Sequence, residues 1–311
     1  MPPSQVLRHS APPGSSALRG GPLPRRCLLP GTALLVALFA LAAAWALRAE
    51  PVVVGRVWPD DQRLSLDRID HRAWAALLER YVDEQGQVDY ARWHDTRDDR
   101  LALEDYLTSL SRAAPERPAS RASRLALGIN AYNALTIHGL LREYPTDSIR
   151  RHTPRLVGYH IWRDLHLVIG DEHYSLEDIE HQMLRPLGEP RIHFAIVCAS
   201  RGCPPLSREP YLPERLDDQL AAAAGRFFAD ATKFRAEPAA STFYVSPILK
   251  WFAADFGTDA PGRLRTIAPY LPDDASRRLA EAGTAAVVYL DYDWSLNDQD
   301  AAARDTPTAA R

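Results

Sequence analysis

The stretch "SRLALGINAYNALTIHGLLREYP", residues 123–145, decides how the chain must fold. Its apolar residues fall on nearly every side of a 3.6-residue helix, as in a helix buried at the centre of a domain rather than one lying on its surface. Asn130, Asn133 and His138 sit inside it. A buried amide without a partner costs on the order of 1–3 kcal/mol, so each must be bonded to something. A core polar network and the floor of a binding site are both open readings.

Working outward, "DRIDHRAWAALLERYVDEQG" places Trp74, Leu77, Leu78, Tyr81 and Val82 on one helical face and stops at Gly86. "QVDYARW" reads as a short extended piece, and "RLALEDYLTSLSRA" as a second amphipathic helix through Leu103, Tyr106, Leu107 and Leu110. On the other side, 165–169 and 172–174 read as a hairpin around Gly170-Asp171. Ser175 with Asp178 three residues on forms a capping box, starting a helix at Leu176 that ends before Pro186. "RIHFAIVC" (191–198) is apolar on both faces and reads as an interior strand. "LPERLDDQLAAAAGRFFADATKF" is a long helix, and "SPILKWFAADFG" a short one capped by Ser246 with Pro247 at its first position. Helical turns follow through 263–282, and "AAVVYLDYDW" closes as a strand. Helices outnumber strands and do not alternate with them, which predicts an α+β fold. The expected architecture is one helix-rich domain over 66–297, built around a small mixed or antiparallel sheet. A linker at 48–65 precedes it and a disordered tail at 298–311 follows.

Leu28–Leu47, "LLPGTALLVALFALAAAWAL", carries no charge and is about long enough to cross a bilayer core. Arg8, Arg19, Arg25 and Arg26 precede it in an acid-free leader, 1–27, so the positive-inside tendency keeps the leader in the cytoplasm and sends the domain across. The run is read as an uncleaved anchor, with "AWA" at 44–46 leaving signal-peptide cleavage as the alternative. The first 48 residues hold five of the 37 basic residues and none of the 40 acids, so the remainder carries a net charge of −8. That excludes a phosphate-neutralising surface, and no nucleic-acid partner is expected.

Two of the three cysteines lie in "HFAIVCASRGCPPL", residues 193–206. If 191–198 is a straight strand, His193 and Cys198 stand about 16 Å apart on opposite faces and cannot form a dyad. Cys203 is the better nucleophile, because the 199–202 loop can turn back. Its base would be His193 through a long fold-back, or His181 or His138 from neighbouring helices. Arg201 beside it could lower the thiol's pKa or hold an anion. Pro204 and Pro205 remove the amide donors that usually serve an oxyanion. In an exported domain a Cys198–Cys203 disulfide is the rival state, either as a staple or as a redox-labile bond.

Glu177 and His181, one turn apart with His173 just ahead, make a start on a metal site but lack a known zinc spacing, so no metal is expected. Glu180 and Arg185 read as charge partners. No phosphate loop, G-x-S-x-G elbow or nucleotide fingerprint occurs, and no cofactor is expected. Trp74, Trp162, Trp251 and Trp294 are spread through separate elements and read as core or pocket wall, without support in the sequence for stacking on a sugar.

In "GINAYNALTIHGLL", "YSLEDIEHQMLRP", "PRIHFAIVCASRGCPPL", "SPILKWFAADF" and "YDWSLN", the chain resembles the family called domain of unknown function 547, over roughly residues 75–297. The resemblance implies a bacterial protein behind an export or anchor segment, and draws attention to Asn130, Asn133, Glu180, His181, Arg185, His193, Cys198 and Cys203. It implies no activity. The expectation is a single-pass protein of the bacterial inner membrane with its domain in the periplasm, acting on a small molecule or an envelope component. It would be a thiol-dependent hydrolase or transferase using Cys203, His193 or His181, and Asn130 as orienter, with Asn133, Arg201, Glu180 and Arg185 binding substrate. The alternative is a non-catalytic envelope binding or scaffold module stapled by Cys198–Cys203.

Overall fold

The computed structural model describes residues 50–154 and 158–299. The leader to residue 27, the apolar run 28–47 and residues 300–311 of the expected tail lie outside the described residues. Among those described, no helix is long and apolar enough to cross a membrane.

Strand β1 is Val52–Val54, and helices α1 (Arg72–Tyr81), α2 (Tyr90–Asp95), α3 (Arg97–Leu110) and α4 (Arg121–Glu143) follow. Helices α1 and α3 bury the faces their spacing predicts, and α1 stacks rings on both of its neighbours: Trp74 on Tyr106 of α3 at 5.8 Å and Tyr81 on Trp93 of α2 at 4.5 Å. The "QVDYARW" piece is helical rather than extended over Tyr90–Asp95, because Asp89 Oδ1 caps it by accepting from Arg92 N at 3.1 Å. Helix α4 is the expected central helix, buried along nearly its whole length.

Short helix α5 (Ile161–Asp164) leads into β2 (Leu165–Ile169) and β3 (Glu172–Ser175), an antiparallel hairpin turning at Gly170. The linker strand β1 joins β2 in parallel register, Val52 beside Leu165, so the segment expected as a free linker completes a mixed sheet. The Ser175–Asp178 capping box is present and starts α6 (Leu176–Asp178), which widens into a π-helical turn, Ile179–Leu184. Two glycines let these elements reach α4: a methyl group on Gly128 would lie 2.6 Å from Leu184, and one on Gly139 2.7 Å from Leu165.

The expected strand at 191–198 does not form. Pro190–Phe194 is a 3₁₀ turn, with Pro190 in its first turn and the Glu189 carboxylate accepting from Arg191 N at 3.2 Å. Beyond it the backbone is held by a side chain of α4 instead of a neighbouring strand, so the face-alternation that separated His193 from Cys198 does not apply. Helix α7 (Leu216–Ala229) ends earlier than its apolar pattern suggests. Residues 234–245 are a second hairpin, β4 (Phe234–Glu237) with β5 (Thr242–Val245), that sequence reading missed. Its turn contains Pro238 and two alanines and is closed by Ser241 at φ 48°, without the glycine that marks such turns.

Helices α8 (Ile248–Trp251), α9 (Ala253–Phe256), α10 (Ala260–Ile267) and α11 (Asp274–Ala282) precede β6 (Ala286–Tyr289), which pairs parallel with β5. The fold is α+β and helix-rich, with two small three-stranded mixed sheets where one was expected. The first two residues assigned to the tail are packed on the domain: Asp298 is buried and bridges to Val88, and Gln299 donates to the carbonyls of Tyr81 and Gln87.

Candidate functional site

A cavity of about 510 Å³ opens where α4, α5, the π-helical turn, the 190–204 segment, α8 and the 292–294 segment meet. His193 and both cysteines line it, together with Glu180, Trp251 and Tyr292.

His193 is 2 % exposed. Its ring stacks on Phe252 with centroids 4.0 Å apart, and Nε2 lies 2.7 Å from Asp255 Oδ2. Asp255 is in turn gripped by Arg185, whose Nε and Nη2 donate to its two oxygens at 2.6 and 2.8 Å. That grip is the main reason the Asp255 carboxyl stays below its ordinary pKa. An ionised Asp255 can only accept, so the proton of the neutral imidazole belongs on Nε2 and Nδ1 keeps a lone pair. Nδ1 has no hydrogen-bond partner, and burial pushes His193 down to about 4 against the pull of Asp255. The pair is a carboxylate-backed neutral imidazole at a cavity wall.

Cys198 and Cys203 are joined as a disulfide across the 199–202 loop, with Cα atoms 6.2 Å apart. Ala199 takes the left-handed conformation, φ 59°, that turns this loop. Gly202 lets the loop pass close to the 292–293 segment: a methyl group there would lie 2.9 Å from both Asp293 O and the Tyr292 ring. The Cys198 amide donates to Cys203 Sγ at 3.0 Å, and the Tyr292 hydroxyl lies within reach of both sulfurs, 3.2 Å from Cys203 Sγ and 3.3 Å from Cys198 Sγ, which Ser200 Oγ also approaches at 3.2 Å. Burial raises the pKa of Tyr292, so that hydroxyl keeps its proton.

Glu180, on the π-helical turn, is a third titratable wall group. Burial pushes its carboxyl up to about 7 although Arg185 pulls the other way, and Oε1 has no hydrogen-bond partner. The expected Glu180–Arg185 pair is not formed, because Arg185 spends its fork on Asp255 and gives Nη1 to His181 Nδ1 at 2.8 Å. His181 itself is exposed on the outer side and does not line the cavity.

The two asparagines are not in the cavity wall. Asn130 Nδ2 donates to Tyr211 O at 2.8 Å and Oδ1 accepts from Tyr211 N at 2.9 Å. Asn133 makes the same two-bond clamp on Ala195 O at 3.0 Å and Val197 N at 2.9 Å. Asn130 is therefore a backbone clamp, and Asp255 is the residue that orients the His193 ring. Arg201 lines a separate depression with Asp230 and Asp293, and His138 another with Arg97 and Arg142. Among the described residues no group of three His, Cys, Asp or Glu side chains is arranged to hold a metal ion.

Sequence reading missed Asp255, Tyr132 and Tyr292, and treated Trp162, Trp251 and Trp294 as scattered. Asp255, Trp251, Tyr292 and Trp294 all fall inside the quoted motifs "SPILKWFAADF" and "YDWSLN", the available signal. No curated protein and no solved structure matches the chain. Glu180, His193, Cys198 and Cys203 lie within residues 117–228, which match the profile of one family. Over that segment the chain is similar to the family described as "Protein of unknown function, DUF547".

Proposed function

We propose that the protein is a thiol-dependent hydrolase or transferase of the bacterial envelope, anchored through residues 28–47 with its domain in the periplasm. Cys203 is the nucleophile, His193 its base and Asp255 the residue that orients the base. The observation that carries this reading is the meeting, in one cavity, of a carboxylate-backed imidazole with an unpaired Nδ1 and a sulfur, Cys203 Sγ, that receives the backbone amide of Cys198. Donors aimed at a sulfur favour its thiolate.

The disulfide is the resting form, and a dithiol reductant supplies the two electrons that open it. His193 Nδ1 then takes the Cys203 proton, and the thiolate adds to an acyl carbon. The leaving group departs with the proton held by His193, and water or an acceptor hydroxyl releases the acyl group from sulfur by the same base. Pro204 and Pro205 offer no amide donors, and the Tyr132 hydroxyl, kept protonated by burial, is the donor available at the wall. The rival reading, a non-catalytic envelope module, draws its support from the disulfide as staple and from the complete engagement of both asparagines with backbone.

Reduction of the full-length protein followed by iodoacetamide labelling and peptide mass analysis tests the choice. The enzyme reading expects Cys203 to label at least about tenfold faster than Cys198, and His193→Ala to remove most of that advantage. It also expects hydrolysis of a p-nitrophenyl ester that appears on reduction and is absent in Cys203→Ser. Equal labelling of the two thiols, with ester turnover unchanged in Cys203→Ser, sinks it in favour of the scaffold.

A further inference from the structure

One wall of the cavity is a cluster of touching, mutually tilted aromatic rings drawn from three parts of the chain. Tyr292 lies 4.5 Å from Trp294 and 4.8 Å from Trp251, centroid to centroid. Trp251 stacks on Trp294 at 5.7 Å and 28°, and Trp162 adds a further ring 6.3 Å from Trp294. Trp251 is 48 % exposed, unusual for so large an apolar ring in this fold, and it stands at the cavity. Other wall residues carry polar atoms without partners: Glu180 Oε1, His193 Nδ1 and His160 Nδ1.

Three ligand classes suit an aromatic pocket, and these observations separate them. A quaternary ammonium needs a cage, with facing rings roughly 9–12 Å apart so that the cation lies within reach of each face. Here the rings touch one another and form a wall, not a cage. A purely aromatic ligand would use the wall but leave the unpaired polar atoms unserved, at a cost for each buried group. An anionic ligand would face the carboxyls of Glu177 and Glu180 with Arg163 as the cation in the lining. A sugar ring has what the site lacks: an apolar C–H face to lay on the rings, and a rim of hydroxyls that both donate and accept.

We propose that the cavity binds a neutral pyranose unit of an oligosaccharide, its C–H face on the Trp251–Trp294–Tyr292 wall and its hydroxyls on Glu180 and His160. The assignment names the substrate class of the enzyme proposed above and rests on that reading for its chemistry, which makes the substrate an acyl ester of a sugar: the acyl group passes to sulfur and the sugar hydroxyl leaves with the proton held by His193. Binding itself rests on the wall. Glu180, pushed up to about 7, is protonated through the mildly acid range and there can give a hydrogen bond as well as accept one.

The test is tryptophan-fluorescence titration of the full-length protein in detergent without reductant, so the disulfide stays closed and no thiol chemistry contributes. The probes are the β-1,4-linked trisaccharides of glucose and of N-acetylglucosamine, with tetramethylammonium and p-cresol as the competing classes. At least one trisaccharide is expected to saturate below about 10 mM, with Trp251→Ala weakening it about tenfold or more and Trp251→Phe restoring most of the loss. Glu180→Gln is expected to weaken it several-fold. Thermal melts of each variant separate lost binding from lost folding. No saturation by either sugar, or Trp251-dependent saturation by tetramethylammonium or p-cresol in their place, overturns the assignment. Failure here leaves the Cys203 labelling result standing, and failure of the labelling leaves sugar binding standing.

Discussion

Two sets of buried polar side chains lie within this fold, and they are treated in opposite ways. In α4, Asn130 and Asn133 each give and accept one hydrogen bond from backbone, at 2.8 to 3.0 Å. In the cavity, Glu180, His193 and His160 each keep one ring or carboxyl atom without a partner. His193 is as buried as the asparagines while Glu180 and His160 are half-buried, so burial does not separate the two sets. The pairing of the polar atoms does: an amide whose oxygen and nitrogen both hold backbone has little left to offer a ligand, whereas an unpaired buried atom is a standing cost that a ligand can relieve.

The comparison is sharpest at Asn133. Asn133→Ala strands the Ala195 carbonyl and the Val197 amide, and should lower unfolding stability by about 3 kcal/mol in urea melts. A loss under about 1 kcal/mol would mean that the clamp is dispensable and the contrast false. Glu180 should behave oppositely. Its carboxyl is raised from 4.5 to about 7 by burial, so its protonated form contributes stability that is full below pH 4.5 and lost as pH rises through 7. Across that window the loss approaches about 3 kcal/mol as an upper figure. Glu180→Gln should therefore flatten the decline and be the more stable protein at pH 8. Equal pH profiles for the two would show that Glu180 finds a partner in solution. The smallest effect concerns the disulfide. It closes so short a loop that reduction should cost only about 2 kcal/mol and leave the fold intact, checked by melts with and without dithiothreitol. Unfolding on reduction would remove the thiol state that the proposed chemistry requires.

The same division runs through what could be read in advance. The faces of α1 and α3, the buried α4, the capping box at Ser175 and Asp178 and the β2–β3 hairpin were all legible, because each depends on residues within a turn or two. The reading of 191–198 as a strand failed for a physical reason. An apolar run shows that a segment is buried, and only its hydrogen-bond partners decide whether it is a strand. Those partners are side-chain atoms of Asn133, more than 60 residues away. With the strand went the argument that kept His193 away from Cys198. The β4–β5 hairpin was lost because its turn lacks glycine, and β1 because a strand of three valines in a linker shows nothing until β2 lies beside it.

For the site, local sequence singled out His193, Cys198, Cys203 and Glu180, and named the two asparagines without being able to say which way they faced. Sequence alone determined the secondary structure that short-range periodicity and caps encode, the α+β class and the chemical types present. Tertiary structure alone decided that Asp255 backs His193 and Arg185 backs Asp255, and that rings from 162, 251, 292 and 294 form one wall. It also left Glu180 Oε1 without a hydrogen bond. Each of these is a meeting of groups distant in the chain, set by how the helices and the 190–204 segment pack around α4, and no local spacing records it.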